Sequence, residues 1–422
     1  MNVGERIRQI RIHKGFTQGE LVSGICSITY LSRIENGQIK PSNSFLEKAA
    51  NKLDIDINFL IDTGKIDIEN EISEIYDKYK DEKRIIEKDL ALLEVYLLKI
   101  NSIPLLLKVY GTLIYYYTRK NNLEYISPIV EQASQMIPSK VDHEYQEEFI
   151  YYLMARGHFF YKKEENITAR EIYVQIDSML GMEESLLHAD VYYNLGLVNQ
   201  RIYKDQSISR LYTQKAYNIY RKLNLKDYII DTLIILALQY HSDELHEKAL
   251  EVLKQAEDSA KESTNSGYLP LISYHYGRIY KGLKDYNNAI KYFEESLKLA
   301  KFLHQEVQKV YILRSLIEIH MEYKEWEKVN ALMDESFKLL EIHEIPYIHV
   351  QLHGFKARIC ILRGDNYGYE KDMQKAIEIG LEKKQAPIVS ELAKELGDYF
   401  FDNRAYKLSA KYFKISIENK LS

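Results

Sequence analysis

The sequence predicts an all-α protein: a small N-terminal bundle of five short helices, then a long solenoid of stacked helical hairpins. Three observations carry this. Glycine and proline number only 18 and 7 in 422 residues, and a chain short of turn residues favours long helices with short connections. Gly157, Gly196, Ala237, Gly277, Ile317, Ala357 and Gly397 precede helical, tyrosine-rich stretches at successive spacings of 39 to 41 residues, the mark of a stacked array. Tyrosine occurs 36 times against one tryptophan, which suits helix interfaces needing bulk with a polar tip.

Composition narrows the function classes. The chain is 46% hydrophobic and 28% charged with a net charge of −5, too apolar for disorder. Its length argues for more than one domain. No run approaches the roughly 20 apolar residues of a membrane span, and Met1–Arg6 opens no signal peptide. Cys26 and Cys360 are too far apart for a disulfide framework or a zinc spacing. A cytoplasmic protein with no membrane partner is expected. Residues 1–41 carry six basic and three acidic side chains, whereas residues 64–422 hold 49 basic and 55 acidic. A basic cap on an acidic body fits a modest nucleic-acid-binding head.

The head reads as follows. Val3, Ile7, Ile10 and Arg11 share one face of a first helix that Gly15 stops. Thr17 with Glu20 three residues on forms a capping box for a short second helix. Gly24-Ile25-Cys26 makes a turn, and Ser27 or Ile28 opens a third helix ended by Asn36-Gly37. Pro41-Ser42 launches a fourth, with Phe45, Leu46, Ala49 and Leu53 on one face, and Asp56–Ile61 makes a fifth. Residues 1–63 are thus one domain, 64–101 linker helices, and 102–422 the repeats.

The string Thr17-Gln18-Gly19-Glu20-Leu21 … Tyr30-Leu31-Ser32-Arg33-Ile34-Glu35-Asn36-Gly37 resembles the repressor-like Cro/C1 (XRE) helix-turn-helix family over about 60 residues. That resemblance implies a third helix lying in the major groove of double-stranded DNA. Thr29, Tyr30 and Arg33 would face base edges, Arg33 with the bidentate guanine geometry. Gln18, Ser27, Ser32, Asn36 and Lys40 suit phosphate contacts. Glu35 looks like the family's buried carboxylate, with Arg11 as its partner.

Three repeats resemble the tetratricopeptide pattern: Tyr276-Gly277 … Tyr280 … Tyr286 … Ala289 … Phe293; Leu236-Ala237 … Tyr240 … Ala249 … Leu253 … Ala256; and Leu396-Gly397 … Phe400 … Tyr406 … Phe413. The small residue admits the second helix closely, so Ile317 implies a wider gap in its repeat. Pro270, Pro346 and Pro387 fall just before first helices, where a chain break is expected. The period of about 40 departs from the 34 of that family and also fits armadillo or HEAT arrays; the residue signature favours a stretched tetratricopeptide-like, right-handed superhelical solenoid. Gly111 marks a less regular repeat upstream.

A solenoid presents a concave groove to extended peptides. First-helix positions near the small residue give Asp190, Tyr193, Asn194, Gln200, Arg201, Asp231, His241, His275, Arg278, Lys281, Arg314, Glu318, Arg358 and Lys394. Asn194 stands out, because a carboxamide both donates to and accepts from a peptide backbone. Residues 278, 318, 358 and 398 read Arg, Glu, Arg, Asp, a ladder open to two readings, peptide contact or salt bridging between repeats. His349 and His353 have metal-binding spacing but no third ligand. With no phosphate loop, dinucleotide fingerprint or nucleophile elbow, no catalysis, cofactor or metal is expected.

The head joined to these repeats resembles the peptide-pheromone receptors of the Rap–Rgg–NprR–PlcR–PrgX group. The runs Gly4-Glu5-Arg6-Ile7-Arg8-Gln9 and Ser27 to Gly37 look most like the NprR and PlcR branches. This resemblance implies a quorum-sensing transcription regulator that forms a homodimer or higher homo-oligomer and binds a short signalling oligopeptide in the repeat groove. It also implies an alternative or additional role, inhibition of a sporulation phosphorelay response regulator, centred on residues 67–140.

Overall fold

Hydroxyl caps set where the head's helices begin. Thr17, Ser27 and Ser42 accept the N–H of Glu20, Tyr30 and Phe45, each at 3.2 Å, and the Glu20 carboxylate returns a bond to the Thr17 N–H at 2.7 Å. Caps of this kind contribute about 1 kcal/mol each. They start α2 (Gln18–Val22), α3 (Ile28–Glu35) and α4 (Asn43–Leu53), which follow α1 (Val3–His13). Ile7, Ile10, Leu21, Leu31, Ile34, Leu46, Ala49 and Leu53 close a shared core.

The structure, a computed structural model, describes residues 3–14, 16–55, 57, 60, 68–97, 102–263, 265 and 267–420. Every regular element among the described residues is helical. The fifth helix expected over Asp56–Ile61 falls mostly outside them. Two helices occupy the expected linker, α5 (Ile68–Glu82) and α6 (Glu87–Tyr96), followed by α7 (Ile103–Arg119) and α8 (Leu123–Met136).

Beyond a short 3-10 turn at His143–Tyr145 come the regular hairpins. They are α9 (Gln146–Lys162) with α10 (Asn166–Met179), α11 (Leu186–Ile202), α12 (Ser207–Lys222), α13 (Lys226–Ser242) with α14 (His246–Glu262), and α15 (Tyr268–Gly282) with α16 (Tyr286–Phe302). Next are α17 (Glu306–Glu322) with α18 (Trp326–Ile342), α19 (Pro346–Leu362) with α20 (Asn366–Glu382), and α21 (Ala386–Asp402) with α22 (Tyr406–Lys420).

One turn design recurs through them. Lys284 adopts φ 60°; its N–H bonds to Lys281 O at 3.0 Å and that of Asp285 to Tyr280 O at 2.9 Å, a Schellman closure that satisfies the helix's last carbonyls. Asp285 then caps α16 by accepting the Asn288 N–H. The same two-bond closure follows α9, α12, α13, α16, α17, α19, α20 and α21, centred on Glu164, Asn224, Glu244, His304, Lys324, Gly364, Lys384 and Arg404. With helices of 17 residues, as at α16 to α21, each turn restarts the pattern after 20 residues. The 40-residue period is twice this unit.

At Gly157, Gly277 and Gly397 the small residue of the first helix meets the residue sixteen positions on. A Cβ added at Gly157 would lie 2.7 Å from the Tyr173 ring, at Gly277 2.6 Å from Phe293, and at Gly397 2.9 Å from Phe413. Where the small residue is larger, the residue opposite loses its ring: Ala237 shares a core with Leu253, Ile317 with Met333, and Ala357 with Met373. Ile317 alone implied a wider gap; a flexible methionine opposite it adapts to the extra volume, and both are buried. Gly111 behaves differently, since a Cβ there would meet Tyr151 of α9 at 2.7 Å, across repeats rather than within a hairpin.

The chain forms two compact units, residues 1–204 and 205–422. This division does not coincide with the sequence boundaries at 63/64 and 101/102. Val95 of α6 is fully buried in the head's core.

Candidate nucleic-acid interface and repeat groove

The third helix of the head is held from beneath by a buried ion pair. Arg11 Nε and Nη2 donate to Glu35 Oε1 and Oε2 at 2.7 and 2.9 Å, and Arg11 Nη1 donates to Phe16 O at 2.8 Å. Glu35 is 3% exposed, so its charge depends on these partners. Gln18 completes the set, its Nε2 donating to Glu35 Oε2 at 2.7 Å. That bond ties α1, α2 and α3 together at the base of the helix-turn-helix, and it commits one amide hydrogen of a residue expected to reach phosphate. An apolar-looking helix face around Glu35 hides this third partner from sequence reasoning.

With its back fixed, α3 exposes Thr29, Arg33 and Asn36, spaced by four and three residues and so on one face. Ser27 and Lys40 are exposed beside them and Ser32 is half-buried. Tyr30 is half-buried and packs edge-on against Phe45, ring centroids 5.6 Å apart. Its ring is therefore part of the support between α3 and α4. Ile28, 53% exposed at the start of α3, was not singled out in the sequence; an apolar side chain there suits contact with a thymine methyl.

In the first unit, Asn194 is 9% exposed. Its Nδ2 donates to Asp190 O at 2.8 Å, and its carboxamide also hydrogen-bonds the His158 imidazole, which burial pushes down to about 4. Asn194 is thus spent on a bond within α11 and on His158 of α9. Tyr193 and Gln200 are half-buried. Arg201 lies over the Tyr161 ring at 4.6 Å and pairs with Glu164 at 3.7 Å.

In the second unit, exposed Arg278 stands beside two depressed imidazoles. Burial, then Arg278, take His275 down to about 3 and His241 to about 4. His275 is 6% exposed and its Nδ1 has no hydrogen-bond partner. Asp231 accepts from the Tyr268 hydroxyl at 3.4 Å, and burial pushes its carboxyl up. Glu318 takes Lys281 at 2.6 Å and Arg314 at 3.3 Å. Arg314 also donates to Gln351 at 3.0 Å, and Arg358 makes a forked pair with Glu395, its shorter bond 2.6 Å. Of the row read at residues 278, 318, 358 and 398, Glu318 and Arg358 are bridged between repeats, but in a register of 37 rather than 40: Lys281 with Glu318 and Arg358 with Glu395, as Arg314 is with Gln351. The offset of one helical turn places the partner on the facing flank of the next first helix; a search at 37 residues would have found Gln351 and Glu395. His349 and His353 stack together at 5.2 Å, and no metal-binding group of three ligands occurs among the described residues.

Residues 4–64 match the model of a helix-turn-helix domain, and residues 272–302 that of a tetratricopeptide repeat. The chain is 22% identical over 412 residues to the transcriptional activator NprA of Geobacillus stearothermophilus, covering 94% of this chain and 98% of NprA. Its fold is that of the quorum sensor NprR from B. thuringiensis in its apo form (TM-score 0.60, 16% identity, 84% of this chain and 99% of that one). NprR in complex with its cognate peptide NprX is similar as well (TM-score 0.54, 15% identity, 83% and 99%). The chain is thus similar, over most of its length, to members of the Rap–Rgg–NprR–PlcR–PrgX group. Its head is a helix-turn-helix domain, which together with the likeness to NprA supports a regulator that binds DNA. None of the described helices is long and apolar enough to cross a membrane.

Proposed function

We propose that this protein is a quorum-sensing transcription regulator whose head, residues 1–63, is coupled through linker helices 64–101 to a repeat domain, 102–422, that takes a short signalling peptide. The observation that carries the DNA half is the exposed Thr29–Arg33–Asn36 face of α3 over a buried Arg11–Glu35–Gln18 clamp. The peptide half is supported by the full-length likeness to a transcriptional activator and by a similar fold that holds a peptide in NprR. Tyr193, Asn194, Gln200 and Arg201 in one unit, and Asp231, His275, Arg278, Arg314, Glu318 and Arg358 in the other, are the peptide contacts of this reading. Arg278 and His275 lead it. An exposed cation beside an unpartnered, neutral imidazole suits a carboxylate and a backbone amide.

A homodimer is part of the mechanism. A head with few phosphate contacts binds DNA weakly, and two heads gain effective concentration only when their spacing matches half-sites about 34 Å, or a multiple, apart. A peptide that favours one repeat curvature sets that spacing. The test selects genomic fragments with the full chain. It then measures their binding with synthetic peptides matching the end of any small secreted product encoded beside the gene. A peptide that shifts fragment affinity in the parent and leaves Arg278→Ala unresponsive supports the reading. No fragment retained, or a response that Arg278→Ala and His275→Ala both preserve, overturns it.

A further inference from the structure

The second unit contains a cleft of about 760 Å³ that none of these roles uses. It is lined by α18 and α20, the second helices of two successive repeats, with one face of α19 between them. The groove residue Arg358 lies five positions from His353 on α19, about 140° around the helix, so the two sites are separate. The size falls within the roughly 300–1,000 Å³ of small-molecule sites.

Charge divides its walls. Asp334 and Glu341 stand two turns apart on α18, whereas Arg363 and Lys375 stand opposite, after α19 and on α20. Among the described residues no salt bridge joins any of these four. Lys356, also on the wall, is already paired with Asp372 at 3.2 Å. The floor is apolar, formed by Met333, Phe337 and Leu340.

One buried polar group is left over. His353 is 6% exposed, lines the cleft, and has no partner for Nδ1. Its ring lies against Phe337 at 5.1 Å and His349 at 5.2 Å. Burial and Lys375 hold it down at about 4, so at neutral pH it is an uncharged imidazole whose Nδ1 either donates or accepts. A buried unpaired nitrogen is costly unless something meets it.

We propose that this cleft is a second ligand site, taking a small zwitterion with an apolar body, an aromatic or branched-chain amino acid or its dipeptide. The carboxylate lies toward Lys375 and Arg363, on the side of the His353 imidazole. The ammonium faces Asp334 and Glu341, and the apolar side chain covers Phe337.

Calorimetry on the full chain tests this with four probes: L-phenylalanine, L-leucyl-L-phenylalanine, N-acetyl-L-phenylalanine and L-phenylalaninamide. At least one zwitterion is expected to bind about fivefold or more tightly than either blocked compound, the size of a good exposed ion pair. Whichever of the amino acid and the dipeptide binds better identifies the source. Lys375→Gln should erase the preference over the amide, and Glu341→Gln the preference over the acetylated compound. Both residues are exposed, so these variants keep the fold. No heat with either zwitterion up to about 10 mM, equal binding of all four probes, or preferences that survive both substitutions overturns the proposal.

Discussion

Gly277 and Phe293 occupy one another's space: a methyl group on the glycine would sit 2.6 Å from the phenyl ring. Neither residue is optional while the other remains, which is why the first helix of this repeat carries no side chain where the second carries a phenyl ring. Gly277→Ala should therefore destabilise the full chain by about 1–3 kcal/mol, the usual cost of overpacking. Phe293→Leu should recover much of that loss. Urea unfolding of the two single variants and the double variant checks it; costs that simply add would show that the two side chains do not compete.

The clamp beneath α3 makes a second prediction. Arg11→Ala leaves the Glu35 carboxylate buried with one partner, Gln18, and should cost about 3–5 kcal/mol. Arg11→Met with Glu35→Leu should be far milder, because no charge is then stranded. Thermal melts would report the difference. Equal losses in the two cases would mean that the pair is not desolvated as the geometry shows.

DNA reading separates two kinds of cation. Arg33→Ala should weaken binding to a selected fragment by about 1–3 kcal/mol and relax discrimination at one base position. Lys40→Ala should weaken all sequences alike and lower the salt slope by about one. Fluorescence anisotropy at several salt concentrations distinguishes them, and both variants should melt like the parent, since both side chains are exposed.

The buried imidazoles predict acid sensitivity. His275 and His353, at about 3 and about 4 in the folded chain, return to about 6.5 on unfolding. The unfolded state then binds more protons between those values, so stability is full above about pH 6.5 and falls as pH drops toward 4. Each should remove about 2 kcal/mol between pH 7 and 5. Urea midpoints across that range should decline less steeply in His275→Gln than in the parent; parallel curves would show that this histidine does not titrate on unfolding.

Much of the architecture is legible in the residues because its causes are local. Thr17, Ser27 and Ser42 announce helix starts through hydrogen bonds only two or three residues long. The repeat is legible too, since one 20-residue solution to closing and restarting a helix is reused along the chain. The Arg11–Glu35 pair followed from a family resemblance, and its geometry agrees.

The site residues were less legible, because their roles depend on what faces them. Asn194 reads as an open carboxamide, yet Asp190 O one turn back on α11 takes its amide and His158 of α9 meets it from the neighbouring helix. Glu318 and Arg358 read as a ladder at 40 residues, yet their partners lie 37 away, where the flank of the neighbouring helix meets them.

Periodicity, caps and small-residue spacing thus determined the helices, their hairpins and the class of the head, all interactions within a few turns of chain. Only the tertiary structure decided which polar side chains are spent on support, how Ile317 is accommodated by Met333, and that His353 faces a cleft without a partner. Hydrogen bonds and contact volumes between distant helices leave no fixed interval in the sequence, so they appear only once the helices are packed.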